Sequence, residues 1–415
     1  MGAGSADEGC AEPFRAGPRA TGGTGQSPTG AALTARRIPA ALLRGGAAKG
    51  LFVAGRALPA DPRRRDALLL RALGCPDPSG AMLDGLGGAG PSAGRVMLVW
   101  PSPLDGVDVD CQVGSVAAGG AAIEWGGDCG GLTAAVGPFA IGEAMLPVVE
   151  GETRVRLRRL DTGARVDVLV PVRGGEALED GAFAEEGVPF AAAELRLEHL
   201  GPGRVEGGGP LLPTGAVQDR IRVAGLGTLA ATLLDAGDPT VFVRADALGL
   251  SGREPPEAIE RDRRLLERLE AVRAAGAVAM GVAETPAQAS ARRPDRPALV
   301  CVAKPAGYRA LSGVEVAADQ VDLLARAFSA GRIVRGCPER GAIALAVAAA
   351  VPGTVVHEVA RTLPGVPTRI GHVSGTLAVG ADVSCGADGR WQADKAVLSR
   401  SARRLMSGWI HLPGH

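Results

Sequence analysis

Apolar positions along the chain fall into short runs broken by glycine and proline. From Ile38 one such run leads into Arg44-Gly45-Gly46-Ala47-Ala48-Lys49-Gly50 and out through Leu51-Phe52-Val53, which predicts two strands, or a strand and a bend, around a glycine turn. Asp61 and Pro62 then open a helix with its body from Ala67 to Leu73 and its stop at Gly74. Short β-type runs follow at Val96 to Trp100, Val107 to Val116, Thr153 to Leu160 and Arg165 to Val172. In the last two, Val155 and Leu157, then Val166, Val168 and Val170, alternate with Arg and Asp, as a half-buried antiparallel hairpin around Asp161-Thr162-Gly163-Ala164 requires.

Between these runs, Cys129 to Val136 is small and apolar on nearly every side and predicts a helix with no face to offer water. The second half repeats the recipe, with strands at Thr240 to Ala245 and Ala298 to Ala303 and an Ala-rich helix from Gly341 to Val351, ended by Pro352-Gly353. Pro255 to Ala275 reads as a charged surface helix with Glu257/Arg261 and Glu260/Arg264 at i, i+4. An all-apolar helix needs a sleeve, so the pattern predicts a duplicated unit in which a sheet wraps a central helix.

Composition sharpens this picture. At 415 residues the chain allows two or three domains, and 46% hydrophobic with 22% charged residues is globular. The 45 basic residues balance 45 acidic ones, which leaves no overall field for nucleic acid or an anionic membrane surface. No run approaches the roughly 18–20 apolar residues of a spanning helix. The cysteines are odd in number and scattered, with no CxxC and no Cys/His cluster at ligand spacing, so neither a disulfide scaffold nor a metal site is expected and a reducing cytoplasm suits the chain. Residues 1–37 read as a disordered extension without the apolar core of a secretion signal. Lysine is confined to Lys49, Lys304 and Lys395, a bias expected of a GC-rich coding sequence.

Four segments could carry chemistry. Cys129, held by Gly130 and Gly131 at a helix start, would have free N–H groups and the positive end of the helix dipole beside its sulfur, which favours a thiolate and can hold a carboxylate; a free cysteine is also an ordinary small buried hydrophobe. The glycine-rich stretch from Asp84 to Arg95, with Gly88 and Ser92, lacks the spacing of a nucleotide loop but fits an anion-binding turn that delivers Ser92 or Arg95. Ile370 to Gly375 offers His372 and Ser374 on a glycine-flanked loop that equally suits a capped turn. Ser399-Arg400-Ser401-Ala402-Arg403-Arg404 offers guanidinium forks, or a solvated face.

Together these blocks resemble the PrpF family of 2-methylaconitate isomerases and 4-oxalomesaconate tautomerases. The likeness runs from Arg44-Gly45-Gly46 and Lys49-Gly50 through Leu58-Pro59-Ala60, Asp84-Gly85-Leu86-Gly87-Gly88, Asp128-Cys129-Gly130, Ala134-Ala135-Val136-Gly137-Pro138, Pro213-Thr214-Gly215, Ala236-Gly237-Asp238-Pro239-Thr240 and Gly371-His372-Val373-Ser374-Gly375 to Ser399-Arg400-Ser401. The resemblance implies an α+β, diaminopimelate-epimerase-like fold: two pseudo-symmetric domains, each a mostly antiparallel sheet rolled around a central helix, with the site between them. Their expected extents are 38–200 with the returning segment 396–415, and 201–395.

It also implies cofactor-independent double-bond or proton shifts in a small unsaturated di- or tricarboxylic acid, with no metal, no nucleic acid and no membrane, in a protein that could form a homodimer. Cys129 matches the family's catalytic cysteine. Arg95 stands where the family has a lysine, and a guanidinium stays protonated, so it suits a carboxylate or enolate clamp rather than a base. Ala47 and Ala48 replace hydroxyl residues. Gly336-Cys337-Pro338-Glu339 opens the second-half helix, so Cys337 or Glu339 could supply a second acid or base. Expected substrate-binding residues are Arg44, Lys49, Gly88, Ser92, Gly130, Gly131, His372, Ser374, Gly375 and Arg400. An epimerase with Cys129 and Cys337 as opposed thiols, and a degenerate homologue that binds a polycarboxylate without turning it over, stay open as alternatives.

Overall fold

The computed structural model describes residues 36–88, 94–117, 119–127, 131–204 and 209–413. Short two-residue strands aside, the first half contributes β1 (Arg36–Gly45), β2 (Ala48–Ala54), β3 (Arg95–Pro101), β4 (Val109–Ser115), β5 (Gly151–Arg159), β6 (Arg165–Arg173) and β7 (Leu195–Leu200). The second contributes β8 (Asp219–Val223), β9 (Gly227–Asp235), β10 (Pro239–Arg244), β11 (Ala298–Ala303), β12 (Leu323–Ser329), β13 (Thr368–His372), β14 (Gly375–Cys385), β15 (Trp391–Arg400) and finally β16 (Ala402–Leu412).

From β1 to β7, neighbours pair antiparallel, parallel, antiparallel, parallel, antiparallel and antiparallel. From β9 to β15 the same senses recur in the same order. The last strand of each series, β7 and β15, pair antiparallel with His199 opposite Ala396, so one ladder passes through both halves. Each half takes its outermost strand from the chain leaving the other: β16 returns to β1, and β8 goes on to β9.

Parallel neighbours need a crossover, and four helices supply it. These are α1 (Pro62–Leu73) between β2 and β3, α2 (Thr133–Gly142) between β4 and β5, α3 (Arg263–Ala279) between β10 and β11, and α4 (Glu339–Ala350) between β12 and β13. In β2, Ala48 and Phe52 pack with α2, whereas Leu51 and Val53 pack with α1 on the other face. Each sheet therefore lies between an outer helix and a central one. The central α2 and α4 are buried almost all round, with Phe139 of α2 against Phe52 at 5.4 Å between ring centres. Burying a side chain of that size contributes roughly 1.5–3 kcal/mol, which is what holds a helix without a polar face inside its sheet. This is the α+β, diaminopimelate-epimerase-like arrangement, with its two sheet-wrapped helices.

Local differences from expectation have clear causes. Strand β1 begins at Arg36 rather than Ile38 because Arg36 pairs with Leu412; residues 1–35 lie outside the described residues. The expected helix from Pro255 to Ala275 is two, Pro256–Arg261 and α3, because Asp262 leaves the helical conformation and caps α3, accepting from Leu265 N–H at 3.0 Å. Glu257 and Glu260 pair across space with Arg335, at 2.9 and 3.1 Å, instead of with Arg261 and Arg264. Among the described residues no helix is long and apolar enough to cross a membrane.

Candidate active site

The first turns of the two central helices meet at the junction of the halves. A cavity of about 520 Å³ there is lined by Gly127 and Thr133 at the start of α2, Glu339 and Arg340 at the start of α4, and Arg159 and His199 from β5 and β7. The Gly127 carbonyl accepts from Arg159 Nη2 at 2.8 Å and from Arg340 Nη2 at 3.0 Å, so one guanidinium from each half grips the backbone just before Cys129. Arg159 is itself fixed by Asp161 through two bonds of 3.0 and 2.5 Å. Cys129, Gly130 and Ser92 lie outside the described residues. Gly131 is described, at φ +95, and a Cβ there would sit 3.0 Å from the Gly45 carbonyl; only glycine lets the α2 start approach the end of β1 this closely.

Glu339 is 5% exposed, with Oε1 3.3 Å from His199 Nε2 and Oε2 3.8 Å from Arg400 Nε. Burial opposes ionisation, but His199, Arg400 and Arg159 together outweigh it and hold the carboxyl at about 2. It is a fixed anion at neutral pH, not a proton carrier. Cys337, partly buried against the core, has its thiol pushed by burial to about 12, against the pull of Arg400, and so keeps its proton. Cys337 does not line the cavity, so the opposed-thiol arrangement gains no support there.

From Arg400 the network runs on. Its Nη1 lies 3.3 Å from Glu185 Oε1, while Glu185 Oε2 accepts from the N–H and the hydroxyl of Ser401 at 2.8 and 2.7 Å. Arg44 Nη1 donates to Ser401 Oγ at 2.9 Å and to the Gly46 carbonyl at 3.0 Å. Arg400 and Ser401 thus form a clasp between the halves rather than a solvated face, with Ser401 fully buried and Arg400 partly so.

The loop at the β13–β14 turn, with His372, Ser374 and Gly375, does not line this cavity. Gly375 stands at φ +149, its carbonyl accepts from Tyr308 Oη, and a Cβ would strike the Glu186 carboxyl at 2.5 Å. Ser374 Oγ donates to the Arg335 carbonyl, and Ser374 N–H to His372 Nδ1 at 3.3 Å. Burial, then the charges of Arg326 and Arg400, push the His372 imidazole down to about 4, so it is neutral at pH 7. Unfolding returns it to about 6.5, so the stability this adds is complete above pH 6.5 and is lost as pH falls toward 4. The loss is up to roughly 3 kcal/mol. His372→Gln should show a correspondingly smaller drop in thermal midpoint between pH 6.5 and 4 than the parent.

Other expected residues divide. Met97 and Val99 of β3 pack with α2, so Arg95, of the same parity, falls on the α2 face, and the Gly50 Cβ direction meets both Leu132 and the Arg95 carbonyl. Lys49 is exposed and shares the opposite face of β2 with Leu51 and Val53, turned away from α2. Gly88 ends the described part of a loop that serves α1: Leu86 and Gly87 N–H donate to the Ala72 and Leu73 carbonyls, at 2.8 and 3.1 Å. Sequence reasoning missed Arg159, Glu185, His199 and Arg340. Only His199 carried a signal, since alternation puts it on the core face with Leu195 and Leu197. No cluster of three or more His, Cys, Asp or Glu stands ready for a metal ion among the described residues.

The family model described as PrpF protein matches residues 35–413. A 2-methyl-aconitate isomerase of Cupriavidus necator is 40% identical over 388 residues, spanning 91% of this chain and 98% of its own. A 3-methylitaconate isomerase of Eubacterium barkeri is 35% identical over 378 residues, 91% and 97% of the two chains. The crystal structure of a methylitaconate-delta-isomerase superposes with a TM-score of 0.83 at 33% identity, covering 91% of this chain and 96% of that one. On this evidence the chain belongs to the PrpF family.

Proposed function

We propose that this PrpF isomerase shifts a proton, and with it a double bond, within a small unsaturated di- or tricarboxylic acid, using Cys129 for proton transfer and no cofactor. Removing a proton from carbon next to a carboxylate builds negative charge over the conjugated acid, so the site needs cations and N–H groups where that charge develops. The observation that carries the reading is the cavity shared by the first turns of α2 and α4, lined by Arg159, Arg165, Arg296 and Arg340, with Arg400 behind Glu339. In this reading the two domains are 38–200 with 396–415, and 201–395; the cavity is lined from 125–200 and from 201–343.

In this reading Arg95 holds a substrate carboxylate at the α2 side. Losing such a charge-assisted bond costs about 1.5–3 kcal/mol. Arg95→Ala should therefore raise KM roughly 10- to 100-fold, and Arg95→Lys should raise it less. The test of the function is a panel of unsaturated di- and tricarboxylates followed by proton NMR. At least one should convert to its positional or geometric isomer; binding without conversion of any would point to a non-catalytic carboxylate-binding protein instead.

A further inference from the structure

A proton shift needs a group that returns a proton to carbon as well as one that removes it, and the described site leaves that role unfilled. Glu339 is a fixed anion, and neither Cys337 nor Arg95 lines the cavity. Within the same cavity, however, stands a carboxylate–imidazole pair. His199 lines the cavity, its side chain 14% exposed, and its Nε2 is buried 3.3 Å from Glu339 Oε1. Nδ1 carries no hydrogen bond among the described residues. The Glu339 carboxylate lies beside Nε2 without a hydrogen bond in this structure, which leaves Nδ1 as the nitrogen open to a reacting molecule.

We infer that His199 is the second proton carrier of the reaction, its imidazole held from behind by Glu339 and its Nδ1 turned to the substrate. The inference rests on the isomerase reading above. Gly127 and Thr133, the described cavity residues on either side of Cys129 in sequence, line the same space, so the two carriers would serve one substrate. One proton passes from carbon to the Cys129 thiolate, and the C–H electron pair spreads into the conjugated carboxylate. The His199 imidazolium then delivers one proton to the carbon at the far end while the double bond re-forms. Cys129 is left as the thiol and His199 neutral; transfer of one proton from thiol to imidazole through water resets both. The charged groups that line the cavity with His199 are Glu339, Arg340, Arg159, Asp161, Arg165, Asp235 and Arg296, with Arg400 beyond Glu339. Glu339 is a positioning residue in this scheme, since it acts through the imidazole.

The test uses the acid that the wild-type protein converts, in deuterated water, with His199→Gln, His199→Asn and His199→Ala compared by NMR and their folding checked by thermal melting. In a folded His199→Gln or His199→Asn variant, deuterium should still enter at the carbon that loses its proton, while formation of the isomer falls roughly 10²- to 10⁴-fold. Added imidazole should restore part of the turnover of His199→Ala. Isomer formation at the wild-type rate overturns the inference. So does loss of exchange and conversion together in a folded variant that imidazole does not rescue, since that is what a merely structural histidine would give. If the wild-type protein exchanges and converts no acid, it is the isomerase reading that fails, and the inference with it.

Discussion

Cys129→Ser is expected to lower turnover by roughly 10²- to 10⁴-fold, the contribution of a well-placed acid–base group, while the thermal midpoint stays within a degree or two of the parent. A serine hydroxyl is nearly isosteric but far too weak an acid to give up its proton at neutral pH, whereas a cysteine thiol is within reach of it. The described flanks of Cys129 support such activation: Gly131 docks the α2 start against Gly45, and two guanidinium groups hold the Gly127 carbonyl. Cys337→Ala is the informative contrast. Its thiol sits at about 12, so its removal should change turnover by no more than a few-fold. Steady-state rates of the two variants side by side decide between one working thiol and two.

The second large effect is expected at Glu339. Glu339→Ala leaves Arg400 and His199 facing each other across a junction where the carboxylate is 5% exposed. Removing one member of a buried ion network costs roughly 3–5 kcal/mol, because the partners stay buried with their charge uncompensated. Denaturant unfolding should show a loss of that order, and turnover should fall as well, since His199 and one side of Arg400 both lie against this side chain. Glu339→Gln keeps the volume and one hydrogen-bonding oxygen, so it should recover part of the stability.

Much of the architecture was legible in the sequence, and the reason is local. Alternation in 153–172 and the absence of any polar face in 133–141 each constrain an element by itself, and their recurrence in the second half betrays the duplication. The start of α4 and the segment around Arg400 were legible as chemistry for the same reason. What makes them a site was not: Ser401 finds Glu185 from 216 positions away, and nothing in the short-range pattern around Glu185 sets it apart from any loop acid. Lys49 shows the converse. Its rarity in an Arg-rich chain drew attention, yet strand parity sends it to the α1 face of the sheet, away from the central helix. The ion pairs expected within 255–275 failed for a similar reason, since Arg335, outside the segment, competes successfully for Glu257 and Glu260.

The claim at the centre of this account is proton transfer at carbon by Cys129 on an unsaturated polycarboxylate. It is tested most directly by incubating the protein with such acids in deuterated water and following loss of the carbon-bound proton signal. Exchange and isomerisation by the wild-type protein, both abolished in a folded Cys129→Ser variant, is the predicted result. Isomerisation that proceeds at an undiminished rate in Cys129→Ser would contradict it.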